Sequence, residues 1–338
     1  MFPMMPKHRS AILFFFLLAF GSLFVPPNSK ADLYRKESNS LNAETSKVAK
    51  IAVDSLFQFL ATNDLNTVKN NVVSAAATEL SSEAKNALLG YFPTVELDLN
   101  YVGGEIEGGA LIVMPLYDYK SDVFFTQGSI FQKNDRTTIN SGVGYRKLAF
   151  DESLLLGINA FYDHEFPYNH ARASLGLEAR TTIGELNANI YHSLSDWKFT
   201  ENTIEEKALG GYDLEIGMPL PYLNWAKFYA RAFEWKSAID GVKDIGGMDV
   251  RMEMQFPFID GLTLVAGHRD YDSQADEQFF SIAYTFELGE KKKSKRSWVN
   301  DTAYDLESMR DHRFSKVRRE NLIFKQRRSS GVLLIGGF

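Results

Sequence analysis

Six histidines and no cysteine set narrow bounds on the chemistry available to this chain. Without cysteine there is no disulfide framework, no thiolate metal site and no thiol nucleophile. His192, followed by Ser193, Leu194, Ser195 and Asp196, is where histidine and serine fall close enough to suggest hydrolysis. A membrane hydrolase working with His, Ser and Asn carries the run His-x-Ser-Asn-Gly, which is missing, so His192 reads as a strand-end polar residue. His164 sits within Asp163-His164-Glu165. A metal-binding helix needs two histidines four apart, and this stretch reads as a loop with solvated acids. No catalytic residue, metal or cofactor is expected.

The other chemistry-bearing set is ionic. Arg146, Arg172, Arg180 and Arg251 recur among Asp98, Asp163, Glu178, Asp213, Glu253 and Glu287, always on the polar parity of a two-residue alternation. Such a set forms either an ion path or a satisfied salt-bridge network. The two signs are interspersed, which favours a network lining a plugged interior.

Strands must position these groups. From Asp122 to Asp163, three segments of about ten residues are separated by polar turns at Lys133–Asp135 and Leu148–Glu152. Leu154, Leu156, Ile158, Ala160 and Tyr162 fall on one face of the third segment. Gly157, Asn159 and Asp163 fall on the other, with Leu155 and Phe161 as exceptions. A period of two means strands, and about ten residues suits a tilted bilayer crossing. The pattern predicts twelve strands between Phe92 and Leu288. Among them are Thr94–Tyr101, about Gly109–Leu116, His170–Thr181 and Gly211–Pro219, with ambiguous faces in Trp225–Trp235. An even count fits a single-chain barrel with both ends on one side of the membrane. Tyr101, Tyr145, Tyr162, Tyr212 and Phe286 lie near strand ends on the apolar face, as interfacial girdles do. The links Asp196–Gly210 and Lys236–Gly247 both follow odd-numbered strands, so the long loops share one rim. The expected fold is therefore all-β: a twelve-stranded antiparallel transmembrane barrel of the outer membrane.

The flanks have other compositions. Lys7, His8 and Arg9 precede an apolar run from Ala11 to Val25, and Ser29 and Ala31 provide small residues for cleavage. Residues 1–31 read as a Sec-type signal peptide. Residues 32–91 carry apolar residues at helical spacing and read as a periplasmic helical segment, either a spacer or a dimerising or peptidoglycan-associated element. Residues 92–288 form the barrel, and residues 289–338 a basic C-terminal linker. From Gly289 to Arg328 there are thirteen Lys or Arg against six Asp or Glu, a surplus of +7 in a chain of net charge −6. An acidic body of −13 would hold a basic segment drawn into its interior. Nucleic acid is not expected as a partner of an exported barrel. Asp305–His312 could form a short helix, and Arg313–Arg328 reads as extended.

Several runs together resemble a known family. Pro115-Leu116-Tyr117-Asp118, Phe125-Thr126-Gln127, Asp135-Arg136, Gly142-Val143-Gly144-Tyr145-Arg146 and Gly157-Ile158-Asn159-Ala160-Phe161-Tyr162-Asp163 are similar to the β-domain of inverse autotransporters, the intimin and invasin family. Leu175-Gly176-Leu177-Glu178, Leu194-Ser195-Asp196-Trp197-Lys198 and Gly211-Tyr212-Asp213-Leu214 continue the resemblance in order. Arg319-Glu320-Asn321-Leu322-Ile323-Phe324-Lys325-Gln326 looks like the segment leading to that family's passenger. The resemblance implies a non-enzymatic barrel embedded in outer-membrane lipids and inserted by the barrel assembly machinery with periplasmic chaperones. It implies a linker threaded through the lumen to the cell surface. Family passengers bind host surfaces; this chain stops at Phe338, so no passenger is expected within it, and a host receptor enters only if one is supplied. A homodimer is a further partner expectation. The alternative is a stand-alone pore or structural barrel with a periplasmic tail. The ten ionic residues named above are the candidate lumenal contacts of the linker.

Overall fold

A computed structural model describes residues 94–102, 105–201, 204–257, 261–287 and 298–329. The expected signal peptide and N-terminal helical segment lie outside the described residues.

Twelve strands close into one antiparallel barrel. They are β1 (Thr94–Val102), β2 (Glu105–Tyr119), β3 (Asp122–Lys133), β4 (Arg136–Ala149), β5 (Leu154–Phe166), β6 (His170–Thr181), β7 (Gly184–Ser193), β10 (Gly211–Leu220), β11 (Leu223–Trp235), β12 (Ile245–Gln255), β13 (Leu262–Tyr271) and β14 (Glu277–Glu287). Each pairs with its neighbour in that order, and β1 closes on β14 with Thr94 opposite Glu287 and Val102 opposite Phe279. Closure removes the unpaired edges that lipid could not satisfy.

The remaining strands form a small sheet of β8 (Lys198–Glu201), β9 (Ile204–Ala208) and β15 (Lys325–Ser329), in the order β15-β9-β8. The Asp196–Gly210 link, read from sequence as a loop, therefore contains a hairpin. Its period is too short, and its residues too charged, to stand out. The expected helix at Asp305–His312 is a single 3-10 turn, Arg310–His312.

Alternation sorts the side chains as a membrane barrel requires. Leu156, Ile158 and Tyr162 of β5, Leu175 and Leu177 of β6, and Tyr212, Leu214, Ile216 and Met218 of β10 are exposed on the outer face. Arg146, Asp163, Arg172, Glu178 and Arg180 are buried on the inner face. The second strand runs to Tyr119, past the expected end near Leu116. The register shifts between Pro115 and Tyr117, a bulge that lets the strand continue past a residue with no N–H to donate. Tyr117 and Tyr119 then point outward beside Phe124 and Tyr145 as part of an aromatic belt.

The two exceptions in β5 have a physical cause. Leu155 is fully buried against Leu148 and Met309, and Phe161 against Phe125, Phe314 and Val317. Both sit on the inner face, where the C-terminal segment gives them apolar partners. Strand β11 has ambiguous faces for the same reason. Its inward residues include Tyr229, Phe233 and Trp235, aromatics that a water-filled lumen would not favour.

Candidate functional site

The site is the barrel interior together with residues 298–329, which contact its wall in a fixed order. They begin at the short-turn rim. The Trp298 ring meets Trp225 edge-on and lies near Phe256. Asn300 donates its N–H to the carbonyl of Tyr222, and Tyr222 donates to that of Ala303. Thr182 donates to the Asp305 carbonyl at 2.6 Å and accepts from the N–H of Glu307. Arg310 clasps Glu152, which also accepts from Ser308 at 2.8 Å. Arg313 reaches Asp118 at 3.0 Å, and Thr94 donates to the Phe314 carbonyl at 2.8 Å. These partners lie at the β12–β13 and β10–β11 turns with the start of β11, on the β6–β7 and β4–β5 links, at the end of β2 and then on β1, which is their order around the barrel. At this rim the Glu152 carboxyl is held down at about 2 by its hydrogen bonds from Arg310 and Ser308.

From Phe314 the chain runs inside the wall without a strand partner until Lys325. A buried extended backbone must find other hydrogen bonds, and polar wall side chains supply them. Arg146 donates to the carbonyls of Arg313 (2.8 Å) and Ser315 (2.7 Å). Arg180 donates to that of Lys316 (3.1 Å), Asn189 to Arg318 (3.0 Å), Arg172 to Glu320 (2.7 Å) and Asn140 to Asn321 (2.9 Å). Two N–H groups are also met from the wall, Val317 by Gln127 and Glu320 by the Tyr191 hydroxyl, both at 2.8 Å.

The side chains of the segment find ionic partners. Lys316 pairs with Glu96. Arg318 bridges both oxygens of Glu253 at 2.9 Å, reaches Glu185 at 3.1 Å, and lies over the Tyr229 ring at 4.1 Å. Arg319 holds Asp163 bidentately at 2.6 and 2.9 Å and lies over the Phe161 ring at 4.3 Å. Glu320 accepts from Arg231 at 3.1 Å. Phe324 stacks on Trp235 with ring centroids 4.5 Å apart. Beyond it β15 pairs with β9, with Arg327 on Glu206 and Arg328 on Glu205, each at 2.7 Å. Planar guanidinium forks on carboxylates are the strong, geometrically specific form of this interaction.

The ten candidate residues divide accordingly. Arg146, Asp163, Arg172, Arg180 and Glu253 touch the segment directly. Glu178 holds Arg146 at 2.5 Å and Arg180 at 2.8 Å, and so supports two residues that do. Asp213 accepts from Asn189 and Tyr191, both at 2.7 Å, in the same supporting role. Arg251 is held among Glu215, Asp249 and Glu253 on the wall. Asp98 has Lys316, Glu96 and Glu253 as charged neighbours. The Glu287 side chain lies outside the described part of the structure.

Sequence reading missed Glu96, Gln127, Asn140, Glu185, Asn189, Tyr191 and Arg231. Parity alone marks most of them as inward, but their types are ordinary on any polar strand face. Glu165, read from sequence as a solvated loop acid, instead closes β5 from inside. It is buried and paired with Arg136 at 2.8 Å and with Lys325; the strand extends to Phe166 because the segment packs against that end. His164 does point outward, toward Tyr162 and Asn169. Among the described residues, no cluster of three or more His, Asp and Glu side chains is placed to hold a metal ion.

Comparison with known proteins agrees with this architecture. Residues 47–321 match the family model described as inverse autotransporter, beta-domain. A protein of Escherichia coli (strain K12), named as an attaching and effacing protein homolog, is 28% identical over 167 residues, 48% of this chain and 56% of its own length. The invasin of Yersinia enterocolitica is 28% identical over 158 residues, 46% of this chain and 19% of its own. The chain thus spans little more than half of one relative and a fifth of the other. A structure from work on the in-meso crystallization of membrane proteins superposes with a TM-score of 0.60 at 20% identity, over 70% of this chain and all of that one, and so shares the fold.

Proposed function

The chain belongs to the inverse autotransporter β-domain family, and from that premise we propose that this outer-membrane barrel is a translocator and surface anchor. In this reading its C-terminal linker is threaded from the periplasmic rim to the cell surface. One observation carries the proposal. Residues 313–329 meet wall groups successively from the short-turn rim to the β9 hairpin, and six of their carbonyls accept from wall Arg or Asn side chains. A wall that reads backbone carbonyls accepts any sequence sliding past it, which is what export of a following segment requires.

The chain enters the pathway through a Sec-type signal peptide, residues 1–31, cleaved before Asp32. Residues 32–91 are a periplasmic spacer. Residues 92–288 are inserted by the barrel assembly machinery with periplasmic chaperones. Residues 289–338 pass as a hairpin through the lumen and remain there as a plug. The role is non-enzymatic. An epitope tag after Phe338 should be reached by antibody on intact cells, with a periplasmic control protein untouched. A tag seen only after permeabilising the outer membrane would refute export and favour a stand-alone barrel with a periplasmic tail. Deleting residues 310–338 should raise the conductance of the purified barrel in planar bilayers; an unchanged conductance would show that the segment does not close the lumen.

A further inference from the structure

We infer that Arg318, Arg319 and Glu320 are the positioning residues that stop the linker at one register. The inference rests on the threading reading above. The carbonyls held by Arg146, Arg172, Arg180, Asn140 and Asn189 cannot set a register, because every residue offers the same carbonyl. The three charged side chains can. In an extended chain alternate residues face the same wall. Arg318 and Glu320 therefore occupy two stacked seats on one side, the lower made by Glu185 and Glu253, the upper by Arg231. Arg319 occupies a seat on the other side, made by Asp163.

The pattern plus, plus, minus matches these seats in one register. A slip of two residues toward the long-loop rim puts Lys316 in the lower seat, which it fits. It also puts Arg318 against Arg231 and Val317 against Asp163. A slip of two the other way puts Glu320 between Glu185 and Glu253 and leaves Arg231 facing Leu322. A slip of one turns every side chain to the wrong wall. Each alternative buries like charges together or leaves a charge without a partner, so the sliding chain arrests where all three seats fill.

The absence of cysteine permits a direct test. Val317 donates its N–H to Gln127 at 2.8 Å. In the full-length chain in outer membranes, Q127C with V317C should cross-link on oxidation, and Q127C with S315C should not. The linker with reversed charges, R318E/E320R, fills the lower and upper seats again after an outward slip of two, with Val317 beside Asp163, which keeps Arg172. The carboxylate introduced at position 318 then faces Arg231, and Lys316 lies between Glu185 and Glu253. Its cross-link should move from position 317 to position 315. A neutral linker, R318Q/R319Q/E320Q, should give both products. Folded barrels are scored by heat-modifiable mobility, and the neutral variant decides the matter if the reversed one does not fold. Retention of the single 127–317 product in these variants overturns the inference while leaving threading intact. A parent chain that folds yet gives no 127–317 product overturns the linker route itself, and the register with it.

Discussion

Asp163→Ala tests the coupling between wall and linker. The carboxylate is fully buried, and so are both guanidiniums it holds: Arg172 from the wall at 2.9 Å and Arg319 from the linker at 2.6 Å. Asn140 adds a hydrogen bond at 2.8 Å. Removing the carboxylate leaves two buried cations side by side, a change expected to cost about 3–5 kcal/mol. Arg319→Ala is milder, because Asp163 keeps Arg172 and Asn140; loss of a charged hydrogen-bonded partner there should cost about 1.5–3 kcal/mol. In the double variant Arg172 alone is uncompensated. The two single effects should therefore exceed the double effect by about 1–3 kcal/mol, the range for groups in one network. The assay is urea unfolding of the barrel in lipid vesicles, followed by heat-modifiable mobility, with the midpoint converted through a common slope. A coupling energy below about 0.5 kcal/mol, the level at which independent sites simply add, would refute the idea that the linker is part of the barrel's ionic core.

Three other outcomes follow from the same contacts. Glu152, held at about 2 from an ordinary value of 4.5, is depressed in the folded state; its clasp on Arg310 should be fully present above about pH 4.5 and lost as pH falls toward 2. Protease accessibility at residues 298–313 should rise over that window, and Glu152→Gln should remove the dependence. Gly142→Ala would put a Cβ 2.3 Å from the Phe161 ring, displacing the face on which Arg319 rests, and should lower stability by about 1–3 kcal/mol in the same unfolding assay; an unchanged midpoint would refute that packing. Phe324→Ala removes the ring stacked on Trp235 and should destabilise by about 3–5 kcal/mol, with a red shift in tryptophan emission as the check.

Much of the barrel was legible because its outer face is simple. Lipid demands apolar residues at every second position, so β5, β6 and β10 announced themselves through Leu156, Ile158, Leu175, Leu177, Leu214 and Ile216. The inner face was legible only where it was ionic. Asp163, Arg172 and Glu253 stand out on a polar parity, whereas Leu155, Phe161, Phe233 and Trp235 looked like errors in the alternation. They are apolar because they pack on Met309, Phe314, Val317 and Phe324, and no local pattern links residues about 90–160 positions apart in the chain. The β8–β9 hairpin was missed for a related reason. It is stabilised through β15, whose Arg327 and Arg328 pair with Glu206 and Glu205 of β9 from more than a hundred residues away.

Those same exceptions explain why the interior is both ionic and apolar. Each buried apolar cluster of the wall is completed by the linker: Leu148 and Leu155 by Met309 near the short-turn rim, Phe125 and Phe161 by Phe314 and Val317 further in, and Phe233 and Trp235 by Phe324 toward the other rim. An empty lumen would leave these faces in water and the guanidiniums of Arg146, Arg172 and Arg180 without the carbonyls they now hold. The apolar contacts supply burial at about 25 cal/mol per Å² removed from water. The ion pairs supply little net burial energy but strong discrimination between alternative positions. A chain passing through this barrel would therefore be attracted through its carbonyls wherever it stood, yet come to rest where its charges and its apolar side chains both match the wall.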